Sequence, residues 1–415
     1  MATVYIDPTA AKGGNGTSAH PFNSWAEVTF AAGNTYLQKA GTTADASLTV
    51  TATGTAAKPI VIGAYGSGAQ PVINGVVNLD GASYVSVAGL TVHDSAGPAI
   101  AIQNGAGHVS VIGDDLTNSS MGLWIGNGAG ADNLIYDNTI TGNTLDGLAV
   151  DKIANPTGQA TEIADNTVSG NGIDGIELDG SNFVLAGNTT DDNGLTMSGA
   201  SGIHVFTGAG NDGYGTGNVI IDNVAVGNQD SGGGDGNGIE LDQYTSGNYV
   251  ADNLAYANAG AGIVLYDSHG NLVASNLVDG NGADGVPGNL VLASSLGLTQ
   301  GNVIADNTGI STSSTPAVFI AQASAAQGNV FTGNVWENAA GGPATAIGID
   351  MSWADWQAFD LVAAAGGAAD GNSGVSVDTT GSSQLTYTFP TGTTQTINGV
   401  SETLVGWSPD HLVVS

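Results

Sequence analysis

The chain has no cysteine, no arginine and only four lysines (Lys12, Lys39, Lys58, Lys152), against 37 acidic residues in 415. The lack of cysteine rules out disulfides and thiol chemistry, although it does not identify a compartment. With a formal net charge of −33, almost nothing can neutralise phosphates, so nucleic acid and anionic membrane surfaces are poor partners. No apolar run reaches the ~18 residues of a spanning helix and no signal peptide is recognisable, so membrane insertion is not expected. Proline is scarce, at 11 residues, whereas glycine reaches 66 without a G-X-Y period. Together with 41% hydrophobic residues, this fits neither collagen nor disorder but a folded chain that turns often. Length alone allows two or three domains or one elongated repeat array.

Periodicity decides for the array. From about residue 80, segments open on asparagine and run through a second asparagine: "NLIYDNTITGN" (133–143), "NFVLAGNTTDDN" (182–193), "NVIIDNVAVGN" (218–228), "NYVADNLAYAN" (248–258), "NLVASNLVDGN" (271–281) and "NVFTGNVWEN" (329–338). The four starts from 182 to 271 lie 36, 30 and 23 residues apart, which a rung of roughly 22–24 residues with insertions explains. Such a rung offers short alternating strands and bends at Gly, Asn and Asp. It cannot bury its own inward face, so rungs must stack with strands ~4.8 Å apart. Recurring asparagines are expected to form ladders, each amide bonding to the next turn. The leucine-rich consensus is missing, and so is the 3.6-residue period of helical repeats.

The strand after each rung's glycine carries the chemistry. Stacked by register, these strands read "AIAIQ" (99–103), "GLWIG" (122–126), "GLAVD" (147–151), "GIELD" (175–179), "GIHVF" (202–206), "GIELD" (238–242), "GIVLY" (262–266), "NLVLA" (289–293) and "AVFIA" (317–321). Positions two and four are apolar throughout and face the core; positions three and five face out. Titratable side chains fill only the middle rungs. Asp151, Lys152, Glu177, Asp179, His204, Glu240 and Asp242 gather there, with Trp124, Phe206, Tyr244 and Tyr266 around them. A merely wetted face would be polar along its length. The longer rung segments (143–160, 193–200, 207–217, 229–237) fall in the same region and are expected to wall a cleft.

The asparagine-punctuated repeat, over about 80–350, resembles the right-handed parallel β-helix proteins of the pectate-lyase-like superfamily, most of which act on polysaccharides. The resemblance implies an all-β, single-stranded right-handed solenoid with its active cleft along one strand face. The opening "VYIDPTAAKGGNGTSAHPFNSW", "GNTYLQKAGT" and "KPIVIGAYGSGAQPVING" is similar to the start of secreted bacterial members, where a short helix caps the first rung. "MSWADWQAF" (351–359) resembles their closing segment, with Trp353, Trp356 and Phe359 as cap-packing aromatics. The expected division is therefore an N-terminal cap and first strands over 1–60, the β-helix over 61–350 and a C-terminal cap over 351–415, in a secreted, extracellular bacterial protein.

Carboxylates on alternate rungs lie ~9.6 Å apart, close to the ~6.5–9.5 Å of inverting glycosidases. The leading expectation is a glycoside hydrolase needing no cofactor. One of Glu177 and Asp179 and one of Glu240 and Asp242 act as acid and base, and His204, raised in pKa by acids on both sides, supports them. Trp124, Phe206, Tyr244 and Tyr266 stack on sugar, and Asp151 and Lys152 bind it. The alternative is a Ca²⁺-dependent polysaccharide lyase or uronan C5-epimerase, with Lys152 as base and Asp151, Asp179 and Asp242 as ligands. The absence of arginine to grip a polyanion speaks against it, as do the missing Asp-Pro-His motif of mannuronan epimerases and the missing Asp-Asp and Gly-His-Gly pattern of polygalacturonases. A third class is a non-enzymatic β-helical adhesin or glycan-binding scaffold, which would not need carboxylates confined to the central rungs. The glycine-rich "GGGDGNG" (232–238) is read as a loop.

Overall fold

In the computed structural model, residues 1–341 are described except 94–95, 208–211, 233, 283–287, 314 and 322–327. Beyond them only the short strands Thr345–Ile347, Asp350–Met351, Ala368–Ala369, Thr386–Thr388, Gly392–Ile397 and Val400–Val405 are described. The chain winds as a parallel β-solenoid. Three long sheets of 14, 13 and 12 strands run its length, each strand pairing with its equivalent one rung away. Among the described residues, the only long-sheet pairing that is not parallel joins Thr345–Ile347 to Asp350–Met351.

The stacking register is the one expected from the sequence. On the 13-stranded sheet Leu148 pairs with Ile176, Ile176 with Ile203, Ile203 with Ile239 and Ile239 with Ile263. Ile176, Leu178, Ile203, Val205, Ile239 and Leu241 are all fully buried, and full burial of such side chains contributes roughly 1.5–3 kcal/mol each.

Three asparagine ladders run alongside this core. Asn223 is typical: its backbone N–H and its Nδ2 both donate to Asn253 Oδ1, at 2.9 and 3.0 Å, and Nδ2 also donates to the Leu185 carbonyl at 2.9 Å. Asn223 Oδ1 in turn accepts from the Asn188 N–H and Nδ2 at 2.9 and 3.0 Å, so every side-chain polar atom of a fully buried amide is satisfied. The spacing between rungs varies freely: Asn166 and Asn188 are 22 residues apart, Asn188 and Asn223 are 35 apart, and both links measure 2.9–3.0 Å. The glycine opening each strand follows from the same geometry. A Cβ on Gly175 would lie 2.5 Å from the Gly202 carbonyl oxygen and 2.9 Å from Asn193 Nδ2, and one on Gly202 would lie 2.6 Å from Asn228 Nδ2.

The N-terminal end differs from the resemblance. Its only helix is the 3₁₀ turn Trp25–Glu27, and Thr3–Ile6 joins the 14-stranded sheet instead. The core end is covered by aromatic packing: Trp25 stacks on Phe30, the Phe30 ring packs tilted against Tyr36, and Trp25 Nε1 donates to Gln38 Oε1 at 2.6 Å. Trp353, Trp356 and Phe359 lie outside the described residues. No helix among the described residues is long and apolar enough to cross a membrane.

Candidate functional site

The site forms on the outward face of the 13-stranded sheet because register puts one outward column in line: Trp124, Ala149, Glu177, His204, Glu240 and Val264 pair in succession. Glu177 and Glu240 thus share a face, with His204 on the rung between.

His204 is the hub. Its Nδ1 lies 3.2 Å from Asp174 Oδ2, and its Nε2 lies 3.7 Å from Asp242 Oδ2. The second distance is an ion pair rather than a hydrogen bond, and Nε2 has no hydrogen-bond partner. Burial opposes a charge on this ring, but Asp174, Asp242 and Glu240 outweigh it, holding the imidazole pKa well above its usual value. Asp174 is itself fixed: Oδ1 accepts the Ser201 backbone N–H at 2.6 Å, and its own N–H donates to Asp146 Oδ1 at 3.1 Å.

Beside this hub the carboxyl groups of Asp146, Asp174 and Glu177 crowd together, with oxygen atoms within 4.8 Å of one another. Burial, then the Asp146 and Asp174 charges, push Glu177 up, and burial followed by Asp174 does the same to Asp146. Burial and the neighbouring acids thus favour the neutral form at both groups. Glu240 lies on the outward column yet is only 6% exposed, which corrects the expectation of a wetted side chain. Ser201 Oγ and Asn237 Nδ2 donate to its Oε2 at 2.7 and 2.9 Å, and burial raises its pKa despite His204. Asp242 keeps 27% of its side chain exposed.

Asp179 does not share Asp242's surroundings, contrary to their equivalent places in the two GIELD strands. It is 3% exposed and is pushed up to about 6 by burial and by Asp212, with Lys152 opposing. Lys152 sits at a bulge where pairing skips from Asp151 to Ile153, in a left-handed backbone conformation with φ 56°. The extra residue sends its ammonium to Asp212, 3.5 Å away. Asp151, Lys152, Asp179 and Asp212 therefore make a second charged group beside the first.

The aromatic residues divide. The Phe206 ring packs at 5.3 Å from the His204 ring. Trp124 stands two rungs before Glu177 and lies over Gly126. Tyr266 packs on a small apolar patch with Val264 and Val291. Tyr244 follows Asp242 in a turn with φ 64°.

Sequence reasoning missed Asp146, Asp174, Ser201, Asn237 and Asp212. The first four each sit immediately before a strand-opening glycine, at 147, 175, 202 and 238. That column was readable one place upstream of the one aligned. Among the described residues, Asp146, Asp174 and Glu177 form one group with ligand atoms within 4.8 Å of one another, and His204, Glu240 and Asp242 form another. The expected ligand set of Asp151, Asp179 and Asp242 is not among them. The all-oxygen first group suits a hard cation once its carboxyl groups are ionised.

The family described as "right handed beta helix region" matches residues 74–253 and 214–352. No curated protein sequence matches the chain. Among solved structures, the A-modules of the Azotobacter vinelandii mannuronan C-5 epimerases AlgE6 and AlgE4 each superpose with a TM-score of 0.56 at 16% identity, covering 76% of this chain and 89% of theirs. A mannuronic acid specific polysaccharide family 6 lyase from human gut microbiota gives a TM-score of 0.55 at 14% identity, covering 88% of this chain and 95% of its own.

Proposed function

The chain belongs to the right-handed β-helix family, and from that premise we propose that it is an extracellular polysaccharide-active enzyme, a glycoside hydrolase using the carboxyl groups around His204. One observation carries this reading: on a single face, Glu177, whose pKa burial raises, and the partly exposed Asp242 stand two rungs apart with His204 between them. Glu177, its proton held by burial and by Asp146, donates to the departing glycosidic oxygen. Asp242 takes a proton from water as that water attacks the anomeric carbon. The rung spacing, ~9.6 Å for alternate rungs, leaves room for this water and favours inversion. His204, clamped by Asp174, positions Asp242 and offsets the local negative charge. Glu240, buried behind its two donors, holds His204 in its charged form.

The test is a panel of neutral and acidic polysaccharides, read for new reducing ends and for the ultraviolet absorbance of unsaturated products, with and without EDTA. Hydrolysis predicts reducing ends without the absorbance. Glu177→Gln and Asp242→Asn should each lower the rate by ~10²–10⁴. Full activity in both variants on a confirmed substrate would remove these residues from the chemistry.

A second reading, a Ca²⁺-dependent lyase or uronan C5-epimerase, is supported by the Asp146, Asp174 and Glu177 group and by the activities named for the epimerase and lyase structures. A cation held there would neutralise a uronate carboxylate, and Lys152 would take the C5 proton. In that case Lys152→Met abolishes activity, and EDTA lowers both activity and melting temperature, since a ligand bound only by the native state stabilises it. A melting temperature unmoved by chelation eliminates the cation.

A further inference from the structure

Upstream of the acidic cluster, the same outward column continues as Thr49, Asn78, Ala101 and Trp124, paired rung on rung, and reaches Glu177 through Ala149. A cavity of about 300 Å³ opens on this stretch, lined by Ser47, Thr49, Asn78, Ala101, Gln103 and Trp124 among others. Its chemistry is unlike that of the cluster, because none of its lining side chains is charged. Gln103 Nε2 donates to Asn78 Oδ1 at 2.7 Å, which fixes both amides and leaves Asn78 Nδ2 free to point a donor elsewhere. Ser47 and Thr49 add hydroxyls, Ala101 leaves a step in the floor, and the indole of Trp124 forms one wall. The nearby carboxylate of Asp80 is engaged by Asn104 Nδ2 at 2.6 Å.

We infer that this cavity is a binding subsite for uncharged sugar residues, so that the enzyme's substrate is a neutral glycan laid along the solenoid axis. The inference rests on the hydrolase reading for what happens at Glu177, and it adds the substrate class. An indole lining the same cavity as amides and hydroxyls matches a pyranose ring, apolar on its faces and hydroxylated at its edge. A uronate here would meet no cation, and the net charge of −33 would repel a polyanion before it arrived. The cavity's volume stands at the low end of small-molecule sites, ~300–1,000 Å³, enough for a short stretch of glycan whose remainder passes over Ala149 to the acids. Trp124's ring is set by Gly126: a Cβ there would stand 2.4 Å from the ring atoms Cε2 and Cζ2, so Gly126→Ala displaces the indole without touching the cavity's polar groups.

Calorimetric titration of the Glu177→Gln protein, in which turnover is slowed ~10²–10⁴-fold, tests this with short oligomers of glucose, mannose and xylose against oligogalacturonate and oligomannuronate. At least one neutral oligomer should bind and the acidic ones should bind more weakly. Both Trp124→Ala and Gly126→Ala should weaken the neutral ligand by about tenfold, with the melting temperature of the Gly126→Ala protein unchanged. Binding of acidic oligomers as tight as neutral ones, no binding by any neutral oligomer, or neutral binding indifferent to both variants overturns the inference. Its fate separates from that of the hydrolase reading. Cleavage of a glycan with KM unmoved by Trp124→Ala and Gly126→Ala sinks the subsite alone. Neutral binding lost in those variants, in a protein that cleaves no polymer, sinks the hydrolase alone.

Discussion

A single oxygen distinguishes Asp114 from the asparagines that continue its ladder. It is fully buried: Oδ1 accepts the Leu90 N–H at 2.7 Å, Oδ2 has no partner, and burial pushes its pKa up to about 8. The unfolded chain releases this proton near the ordinary value of 3.8, so between those values the native state binds the extra proton and loses stability as pH rises. Asp114→Asn restores an Nδ2 that can reach the Val87 carbonyl and Asn138 Oδ1, the partners that the ladder pattern assigns. It should raise the melting temperature, more at pH 8 than at pH 4, in scanning calorimetry; an equal gain at both would refute the buried acid. Sequence alone could not rank the site residues at this scale. Asp179 and Asp242 occupy equivalent places in two identical pentapeptides, yet Lys152 and Asp212 claim one and His204 the other. What decides between them is a one-residue bulge and a loop carboxylate, neither of which leaves a period in the sequence.

Among strands and ladders, the sequence was far more legible. Alternation in GIELD, GIHVF and GIVLY gave the inward and outward sides and the register without error, because a slip of one residue would expose every Ile and Leu. The asparagine ladders were foreseen for the same reason: a repeating amide has a repeating partner. The strand-opening glycine is visible in the sequence, but its cause, a carbonyl on the next rung, is not. Two variants probe these devices. Asn223→Ala strands the Asn188 N–H and side-chain amide and the Leu185 carbonyl, and at ~1–3 kcal/mol for each buried orphan it should cost several kcal/mol in urea unfolding. Gly175→Ala presses a methyl against the Gly202 carbonyl, and overpacking predicts a loss of ~1–3 kcal/mol. A change below ~0.5 kcal/mol in either would mean that the rungs yield more than their packing implies.

For the molecule as a whole, self-repulsion is the dominant electrostatic term. Five ion pairs occur among the described residues, three of them through histidine, too few to offset a net charge of −33. Raising the ionic strength from ~0.01 to ~0.15 M shortens the screening length from ~30 to ~8 Å, so the melting temperature should climb with sodium chloride in metal-free buffer. A fall would show that the histidine pairs outweigh the repulsion.

Asn166, Asn188 and Asn223 are linked by identical bonds across 22 and then 35 residues, so the scaffold does not register how much chain passes between its anchor points. A rung behaves as a socket. Thirteen additional residues enter between two anchors without disturbing the rungs above or below, and several of the long inserts flank the acids. New loops could therefore be exchanged, lengthened or grafted around His204 while the platform that aims the carboxyl groups stays fixed, which is how one such solenoid could be refitted from one ligand to the next.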